Sequence, residues 1–166
     1  MGHSSRLPKH HAALQAILAI RRAARAIDDI VDAACEQLGI TGVQYNILRI
    51  LSRAPAEGIP RSHIVAQLVE KHADVTRSID GLVAAGYVER EHATYDRRVV
   101  LHRITPAGRT AIEQVDPFLF EALRQIARHF TTAELETLTK LLERFLRYGE
   151  TIRLPAINAT EQSPHR

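Results

Sequence analysis

The sequence predicts a mainly α-helical fold that carries one small β-hairpin. Long stretches near both ends of the chain repeat apolar residues at alternating spacings of three and four, which is typical of helices with one buried face. Two short β-rich runs, 87 to 91 and 99 to 104, flank a charged segment in the middle of the chain. Glycine or proline stands where several predicted elements begin or end. These three observations set the order of elements.

The first predicted helix covers residues 9 to 37. Gly39 follows it as a stop signal, because glycine adopts the left-handed conformation that ends a helix. Its apolar stripe consists of Ile17, Ile20, Ala24, Ile27, Val31, Ala34 and Leu38. The spacing of these residues places them on one face.

The middle of the chain predicts several short elements. Thr41 and Gln44 have the spacing of a capping box, which marks a helix start. Gly86 marks a helix end. The predicted elements are a helix over 42 to 53, a loop over 54 to 60 in which Ile59 alone has strand character, a short helix over 61 to 68 and a helix over 73 to 85.

The hairpin leads directly into another helix. Thr105 suits an N-cap, and Pro106 suits the first helical position, where its missing N–H costs no hydrogen bond. Pro117 interrupts the apolar stripe of this helix, and we expect it to bend the helix or to end its first segment. The stripe is Ile112, Val115, Leu119, Ala122, Leu123 and Ile126.

A last helix begins at a second capping box, formed by Thr131 and Glu134. Its wide apolar face reaches about residue 152, and we expect the residues that follow, 153 to 166, to be disordered.

Composition narrows the functional class. A chain of 166 residues fits one globular domain or a compact domain with added helices. No membrane-spanning stretch or signal peptide is recognisable, so a cytoplasmic location is expected. The single cysteine, Cys35, forms no disulfide within the chain. The formal charge of +3 is modest, so the placement of charges decides more than their sum.

Enzyme and metal chemistry find no support in the sequence. There is no glycine-rich phosphate loop, no nucleophile elbow and no pair of carboxylates with a matched base, so we expect a binding protein without a cofactor. Four histidines lie in the middle region, but they lack close paired spacing and no cysteine or glutamate cluster joins them, so we expect no zinc site. They are His63, His72, His92 and His102.

The order helix, short helix, helix and hairpin is that of a winged helix-turn-helix, in which the second helix of the pair enters the DNA major groove. The chain resembles the MarR family of transcription regulators over about residues 10 to 150. The motifs that carry this resemblance are Gln44-x-x-Ile-Leu48, Val75-Thr76-Arg77, Leu82-x-x-x-Gly86-Tyr-Val-x-Arg90, Asp96-Arg97-Arg98 and Ile104-Thr105-x-x-Gly108.

The resemblance implies a homodimeric repressor that binds a pseudo-palindromic operator on double-stranded DNA and is relieved by a small ligand. The implied organisation is an N-terminal dimerisation helix over 9 to 40, a winged DNA-binding domain over 41 to 105, C-terminal dimerisation helices over 106 to 152 and the tail over 153 to 166. Independently, the apolar stripes exceed what a small winged domain needs for its own core. We therefore expect a second copy to cover them, although a self-contained monomeric bundle is the alternative.

Two predicted elements carry the DNA contacts. On the helix over 73 to 85, Thr76 and Arg77 match the recognition positions of the family, and His72 and Asp74 are further candidates. Asp74 is able to accept a hydrogen bond from cytosine N4. Arg61 and Ser62 begin the preceding helix, where amides and a hydroxyl suit a phosphate. Without the resemblance, a solvated polar face explains these residues equally well.

The hairpin tip is assigned three roles. Arg98 aligns with the wing arginine of the family, which reaches the minor groove, and Arg97 adds attraction for phosphate. Asp96 is expected to hold a neighbouring guanidinium by a charge-assisted bond. On spacing alone, a solvated tip with a local salt bridge is the better interpretation. Protonation of the nearby histidines would strengthen DNA contact below about pH 6.5.

The ligand and the regulatory chemistry are less constrained. The family binds aromatic or phenolic acids between its dimer helices and winged domain, and Arg21, Arg25, His11 and Tyr45 are the candidate residues. Arg25 has acidic neighbours that can pair with it, so Arg21 is the better carboxylate binder. Two alternatives remain: redox sensing by Cys35, which is weaker than a packed, inert thiol, and a winged module that binds protein partners without an operator.

Overall fold

The computed structural model describes residues 8–68, 74–149 and 151–152. In chain order these ranges contain α1 (Lys9–Glu36), α2 (Gly42–Ser52), β1 (Ile59–Pro60), α3 (Arg61–Gln67), α4 (Val75–Ala84), β2 (Val88–His92), β3 (Val100–Ile104), α5 (Pro106–Ala127) and α6 (Thr132–Gly149). The predicted fold class, mainly helical with a small hairpin, is confirmed. The tail predicted to be disordered lies outside the described residues.

The chain divides into two compact units, one ending at Leu123 and the other beginning at Arg124. The first unit contains α1 to β3 and most of α5, and it holds all of the buried core. The second contains the end of α5 and α6.

The first two helices follow their predicted signals. Gly39 has a φ of 63°, so it supplies the left-handed stop after α1. The capping box of α2 is confirmed: the Thr41 hydroxyl accepts from the Gln44 amide at 3.2 Å, and the Gln44 side chain accepts from the Thr41 amide at 2.9 Å. Asp32 of α1 accepts from the Gly42 amide at 2.9 Å, which ties α1 to the start of α2.

The core of the first unit lies among α2, α4, the sheet and the first half of α5. Its fully buried members come from α2, α3, α4, β2, α5 and the end of α1, and they are Ile47, Leu48, Leu51, Ile64, Ile79, Leu82, Val88, Val115 and Cys35. Helix and strand residues thus meet in one cluster, to which the end of α1 and the first half of α5 also contribute.

Three antiparallel strands form the sheet in the order β1, β3, β2. The single-residue strand predicted at Ile59 extends to Pro60, and Ile59 is paired with His102. Gly58 enters β1 with a φ of 85°, and a Cβ at this position would lie 2.5 Å from the His102 carbonyl oxygen. Only glycine therefore lets the chain approach β3 so closely.

The junction between the hairpin and α5 confirms the predicted N-cap. The Thr105 hydroxyl accepts from the Gly108 amide at 3.1 Å and donates to the Gly86 carbonyl at 2.7 Å. It therefore caps α5 and also attaches α5 to the turn that ends α4.

Helix α5 runs through Pro117 from Pro106 to Ala127. The prediction that Pro117 ends its first segment is therefore wrong, while the bend stays a prediction. Proline removes one amide donor, but the intrahelical bonds on either side of it remain, and burial of Ile112 and Val115 holds the preceding turns in place.

Helix α6 begins at its predicted capping box. The Thr131 amide donates to Glu134 at 2.8 Å, and the Thr131 hydroxyl accepts from the Glu134 amide at 3.3 Å. The Thr131 amide and the Thr131 hydroxyl both donate to the Glu134 carboxylate, and these two bonds lower its pKa. The helix ends at Gly149, about three residues before the predicted end. Among the described helices, none combines the length and apolar character needed to cross a membrane.

Candidate nucleic-acid interface

A groove of about 510 Å³ lies between α3, α4 and the hairpin. Four residues predicted to contact DNA line it together: Arg61 and Ser62 from α3, Thr76 from α4 and Arg98 from the hairpin tip. The Arg61 guanidinium donates to the Thr76 hydroxyl at 3.4 Å, so α3 and α4 meet at the groove wall. The fold therefore assembles one polar surface from three separate segments of the chain.

The exposed face of α4 is confirmed, but its start differs from the prediction. Helix α4 begins at Val75, and Asp74 is its N-cap, with a carboxylate oxygen that accepts from the Arg77 amide at 3.1 Å. The predicted start at residue 73 is therefore wrong, because Asp74 has a non-helical backbone and caps the first turn. Thr76 and Arg77 are exposed, whereas Ile79 is buried. His72 lies outside the described residues.

Sequence reasoning missed an ion pair between α4 and the hairpin. Arg90 of β2 donates to the carboxylate of Asp80 on α4. Both residues also line the groove. The motif that includes Arg90 was recognised, but its spacing of ten residues from Asp80 carries no signal for a contact between a helix and a strand. This pair partly neutralises one cation of the groove and fixes the hairpin against α4.

The hairpin tip corrects the role of Asp96. Its carboxylate accepts from the backbone amide of Arg98 at 2.9 Å, and its carbonyl accepts from the Val99 amide at 3.0 Å. Asp96 was expected to hold a guanidinium instead, and within the described ranges it forms no ion pair. A carboxylate two residues before an amide forms an Asx turn, a bond that the short Asp side chain makes readily. Asp96 therefore shapes the tip through the backbone.

Arg97 and Arg98 are both exposed, and neither takes part in an ion pair among the residues that the structure describes. Arg98 lines the groove beside α4, whereas Arg97 lines a separate cavity with His92 and Thr94. The tip thus presents two unneutralised guanidinium groups in two directions. On the strand behind it, Arg103 is occupied by Glu89 at 3.1 Å.

The histidines of this region differ in their exposure to solvent. His63 and His92 are exposed. His102 is 5% exposed, its Nδ1 atom is buried without a hydrogen-bond partner, and burial lowers the pKa of its imidazole. A protonation-driven DNA contact of His102 is disfavoured, because its side chain is buried and its pKa is lowered, although it also lines the groove. No cluster of three metal-ligating side chains occurs in the described part of the chain.

A second polar network lies between α2 and α5. The Tyr45 hydroxyl donates to Asp116 at 2.6 Å, and one guanidinium nitrogen of Arg49 lies 3.0 and 2.8 Å from the two oxygens of the same carboxylate. Burial raises the pKa of Tyr45, and the hydrogen bond to Asp116 adds to the shift. Tyr45 was a candidate ligand residue, but its hydroxyl is occupied. It also borders a cavity of about 330 Å³ next to Arg49 and Arg53.

The other candidate ligand residues lie on α1. Arg25 pairs with Asp29 at 3.0 Å, which agrees with the expectation that its acidic neighbours occupy it. A ring nitrogen of His11 lies 3.5 Å from the Gln15 side-chain amide nitrogen. Arg21 is exposed and has no ion pair within residues 8–68, 74–149 and 151–152. Of these three residues, Arg21 therefore remains the best candidate to bind the carboxylate of a ligand.

Cys35 is fully buried in the core. Desolvation raises the pKa of its thiol to about 11, with a smaller contribution from Asp32. Since the thiolate is the reactive form, a buried thiol with a raised pKa reacts slowly at neutral pH. The alternative of redox sensing by Cys35 loses support.

The chain was compared with known proteins. A family model described as "MarR family" matches residues 38–99, which contain α2 to β2 and the hairpin tip but end before β3. The transcriptional repressor YetL of Bacillus subtilis is 25% identical over 104 residues, which is 63% of this chain and 62% of YetL. The multiple antibiotic resistance protein MarR of Escherichia coli is 29% identical over 120 residues, which is 72% of this chain and 82% of that protein.

Solved structures of MarR-type regulators are similar to this chain as well. A mutant of Escherichia coli MarR, solved in complex with operator DNA, superposes with a TM-score of 0.71 at 26% identity, covering 84% of this chain and 99% of that one. A putative MarR-like regulator from Bacillus cereus shares the fold, with a TM-score of 0.74 at 23% identity and coverage of 83% and 98%. The resemblance inferred from the motifs is confirmed, since a model of the MarR family and several MarR-type regulators match the chain.

Proposed function

We propose that the protein is a sequence-specific transcription regulator that binds double-stranded DNA as a homodimer in the cytoplasm. The observation that carries this proposal is the groove in which Arg61, Thr76 and Arg98 converge from α3, α4 and the hairpin tip. The similarity to a MarR structure that contains operator DNA supports the same function.

Helix α4 is the element that enters the major groove. Thr76 and Arg77 are exposed at its start, and the N-terminal residues of a recognition helix are those that reach base edges. Asp74 is exposed as well, but one carboxylate oxygen already caps the helix. Its free oxygen suits a cytosine amino group, so Asp74 contributes to specificity.

The hairpin tip supplies the second contact. Asp96 fixes the backbone of the tip, so the guanidinium of Arg98 projects from a defined turn. We assign Arg98 to the minor groove and Arg97 to a phosphate. With one tip and one α4 in each protomer, the half-sites lie about 10 base pairs apart.

The charges of the winged region set the expected affinity. Residues 61 to 103 contain seven Lys or Arg and six Asp or Glu. Arg90 and Arg103 are neutralised within the chain, so attraction for phosphate rests mainly on Arg61, Arg77, Arg97 and Arg98. Few phosphate contacts give a moderate affinity that still falls with added salt.

A second copy of the chain covers the apolar faces that the winged region leaves exposed. In α6 no residue is buried, and Leu138, Leu141 and Phe145 are between 45% and 48% exposed. Apolar faces of this extent mark interaction surfaces, and two-fold dimers are the commonest assembly. The helices outside the winged region, over 9 to 40 and 106 to 152, are therefore the dimerisation elements.

The regulator acts as a repressor that a small aromatic or phenolic acid relieves. A ligand changes DNA affinity only when it binds the two arrangements of the dimer with different affinities. Arg21 is the candidate for the carboxylate, because Arg25 is paired with Asp29.

A mobility-shift assay with DNA from immediately upstream of the protein's own gene tests this function. The expected result is a discrete complex that specific unlabelled duplex displaces and that a scrambled duplex of the same length does not. Equal displacement by both duplexes would favour the alternative of a winged module that works through protein partners. Reporter expression in the presence and absence of the protein then separates repression from activation.

A further inference from the structure

The Gln44 side chain lies between two helices and bonds to both. Its carbonyl oxygen accepts from the Thr41 amide at 2.9 Å, at the start of α2. Its amide nitrogen donates to the Ser78 carbonyl at 3.3 Å, in the middle of α4. An amide group has one acceptor and one donor end, so these two partners together fix its orientation.

The contact with α4 depends on a glycine. A Cβ at Gly81 would lie 2.7 Å from the Gln44 amide nitrogen, which is closer than real Cβ contacts. Gly81 sits one turn after Ser78 in α4, at a point where the helix faces the Gln44 side chain of α2. The missing side chain of Gly81 therefore makes room for the Gln44 amide.

We propose that Gln44 is a positioning residue that holds the recognition helix α4 at a fixed placement on α2 for DNA binding. This inference rests on the proposed DNA-binding function. The apolar contacts of Ile79 and Leu82 bury one face of α4, but such contacts have little directional preference. The Gln44 bond to Ser78 is directional, so it resists sliding and rotation of α4 that the apolar contacts permit.

Gln44 does not line the groove that we assign to DNA, so its effect must act through α4. Loss of the bond lets α4 occupy other placements, and DNA binding must then select the original one. The loss of affinity is limited by what the bond contributes, which for a hydrogen bond of this kind corresponds to about 2- to 10-fold. The salt dependence of binding stays unchanged, because no phosphate contact is removed.

Two substitutions disrupt the bond from opposite sides. Gln44→Glu keeps an oxygen that caps α2 but removes the donor to Ser78. Gly81→Ala keeps Gln44 but displaces its amide, and it simultaneously favours the helical conformation of α4. Thr41→Ala is the matched control, since it weakens the cap of the same helix and leaves the backbone amide that Gln44 uses.

The experiment uses the full chain and measures two quantities for each variant: the dissociation constant for the operator duplex and the rate of amide hydrogen exchange in residues 75 to 84 without DNA. We expect Gln44→Glu and Gly81→Ala to weaken operator binding by about 2- to 10-fold. Gln44→Glu should also accelerate exchange in α4, whereas the helix propensity of alanine offsets such an acceleration in Gly81→Ala. Thr41→Ala should accelerate exchange in α2 alone. In the double variant Gln44→Glu with Gly81→Ala, the second change should add no further loss.

Additive losses in the double variant, or unchanged exchange in α4 of the Gln44→Glu variant, would overturn the inference. So would equal effects of Gln44→Glu and Thr41→Ala on operator affinity. The exchange measurement needs no DNA, so it decides whether Gln44 holds α4 even when the wild-type protein binds no operator. If the wild-type protein binds no operator but exchange in α4 changes as expected, the proposed DNA-binding function is wrong while the role of Gln44 is supported.

Discussion

The winged region and the flanking helices differ in how deeply their apolar residues are buried. In the winged region, Ile47, Leu48 and Leu82 are fully buried. In α6, by contrast, no residue is buried. Along helix α5 the apolar residues change from buried to exposed. Ile112 and Val115 are buried, whereas the apolar residues after Pro117 are largely exposed. The winged region buries its apolar residues within one chain, together with the end of α1 and the start of α5, whereas α6 leaves its apolar face exposed.

The largest effect is expected from charges on the exposed apolar face of α6. Leu138→Glu combined with Phe145→Glu should produce a monomer, because two carboxylates cannot be buried in an apolar interface without partners. Operator affinity should fall by about 100-fold or more, since a monomer binds only one half-site. Light scattering and a mobility-shift titration measure the two outcomes.

The matched control is Lys140→Gln combined with Arg147→Gln, which changes the net charge by the same amount on the opposite face of α6. This variant should remain a dimer. A dimer in both variants, or a monomeric wild-type protein at micromolar concentration, would show that the α6 face is not an interface.

The next largest effect concerns the hairpin, which is part of the winged region. Arg98→Ala should weaken operator binding by about 1–3 kcal/mol and leave the dimer intact, because the side chain lies at the exposed tip. Arg103→Ala is the control, since Arg103 is paired with Glu89 behind the tip. Fluorescence anisotropy with a labelled duplex measures both. Equal losses for the two variants would refute the assignment of Arg98 to a groove.

A third prediction tests the junction where α5 leaves the core. Asp116→Ala removes the acceptor shared by Tyr45 and Arg49, and we expect it to lower the free energy of unfolding by about 1–3 kcal/mol. Asp29→Ala breaks an exposed pair on α1 and should cost about 0–1 kcal/mol. Urea denaturation followed by circular dichroism gives both values. A loss for Asp29→Ala as large as that for Asp116→Ala would contradict the structure.

The smallest expected effect is a pH dependence of the free energy of unfolding, caused by the buried His102. Burial lowers the pKa of His102, so the unfolded chain binds a proton more readily than the folded chain. The contribution to stability is present above the unfolded pKa of about 6.5 and is lost as the pH falls through it, by at most about 1.4 kcal/mol for each pH unit. His102→Asn should flatten the profile of unfolding free energy against pH between roughly 7 and 5.

Local signals explain what the sequence predicted well. Gly39 and the capping boxes at Thr41 and Thr131 involve residues within four positions of one another, so their geometry follows from helix formation itself. The groove was predictable only in part, because the family motifs placed Thr76 and Arg98 on the right elements without giving their distance.

Contacts between distant parts of the chain were not predictable. Tyr45 and Asp116 are 71 positions apart, and their hydrogen bond exists only because α2 packs against α5. The donor from Gln44 to Ser78 spans 34 positions and depends on the space left by Gly81. Even Asp96 was misassigned at short range, since its carboxylate accepts from a backbone amide and not from a guanidinium.

The sheet that supports the hairpin tip has two free edges, and both are poor templates for adding another strand. Strand β1 ends at Pro60, which has no amide hydrogen to donate. Strand β2 is exposed along Glu89, Arg90 and Glu91, whose charges disfavour pairing with a strand from another molecule. The protein therefore exposes a β-hairpin and still resists edge-to-edge aggregation in a crowded cell.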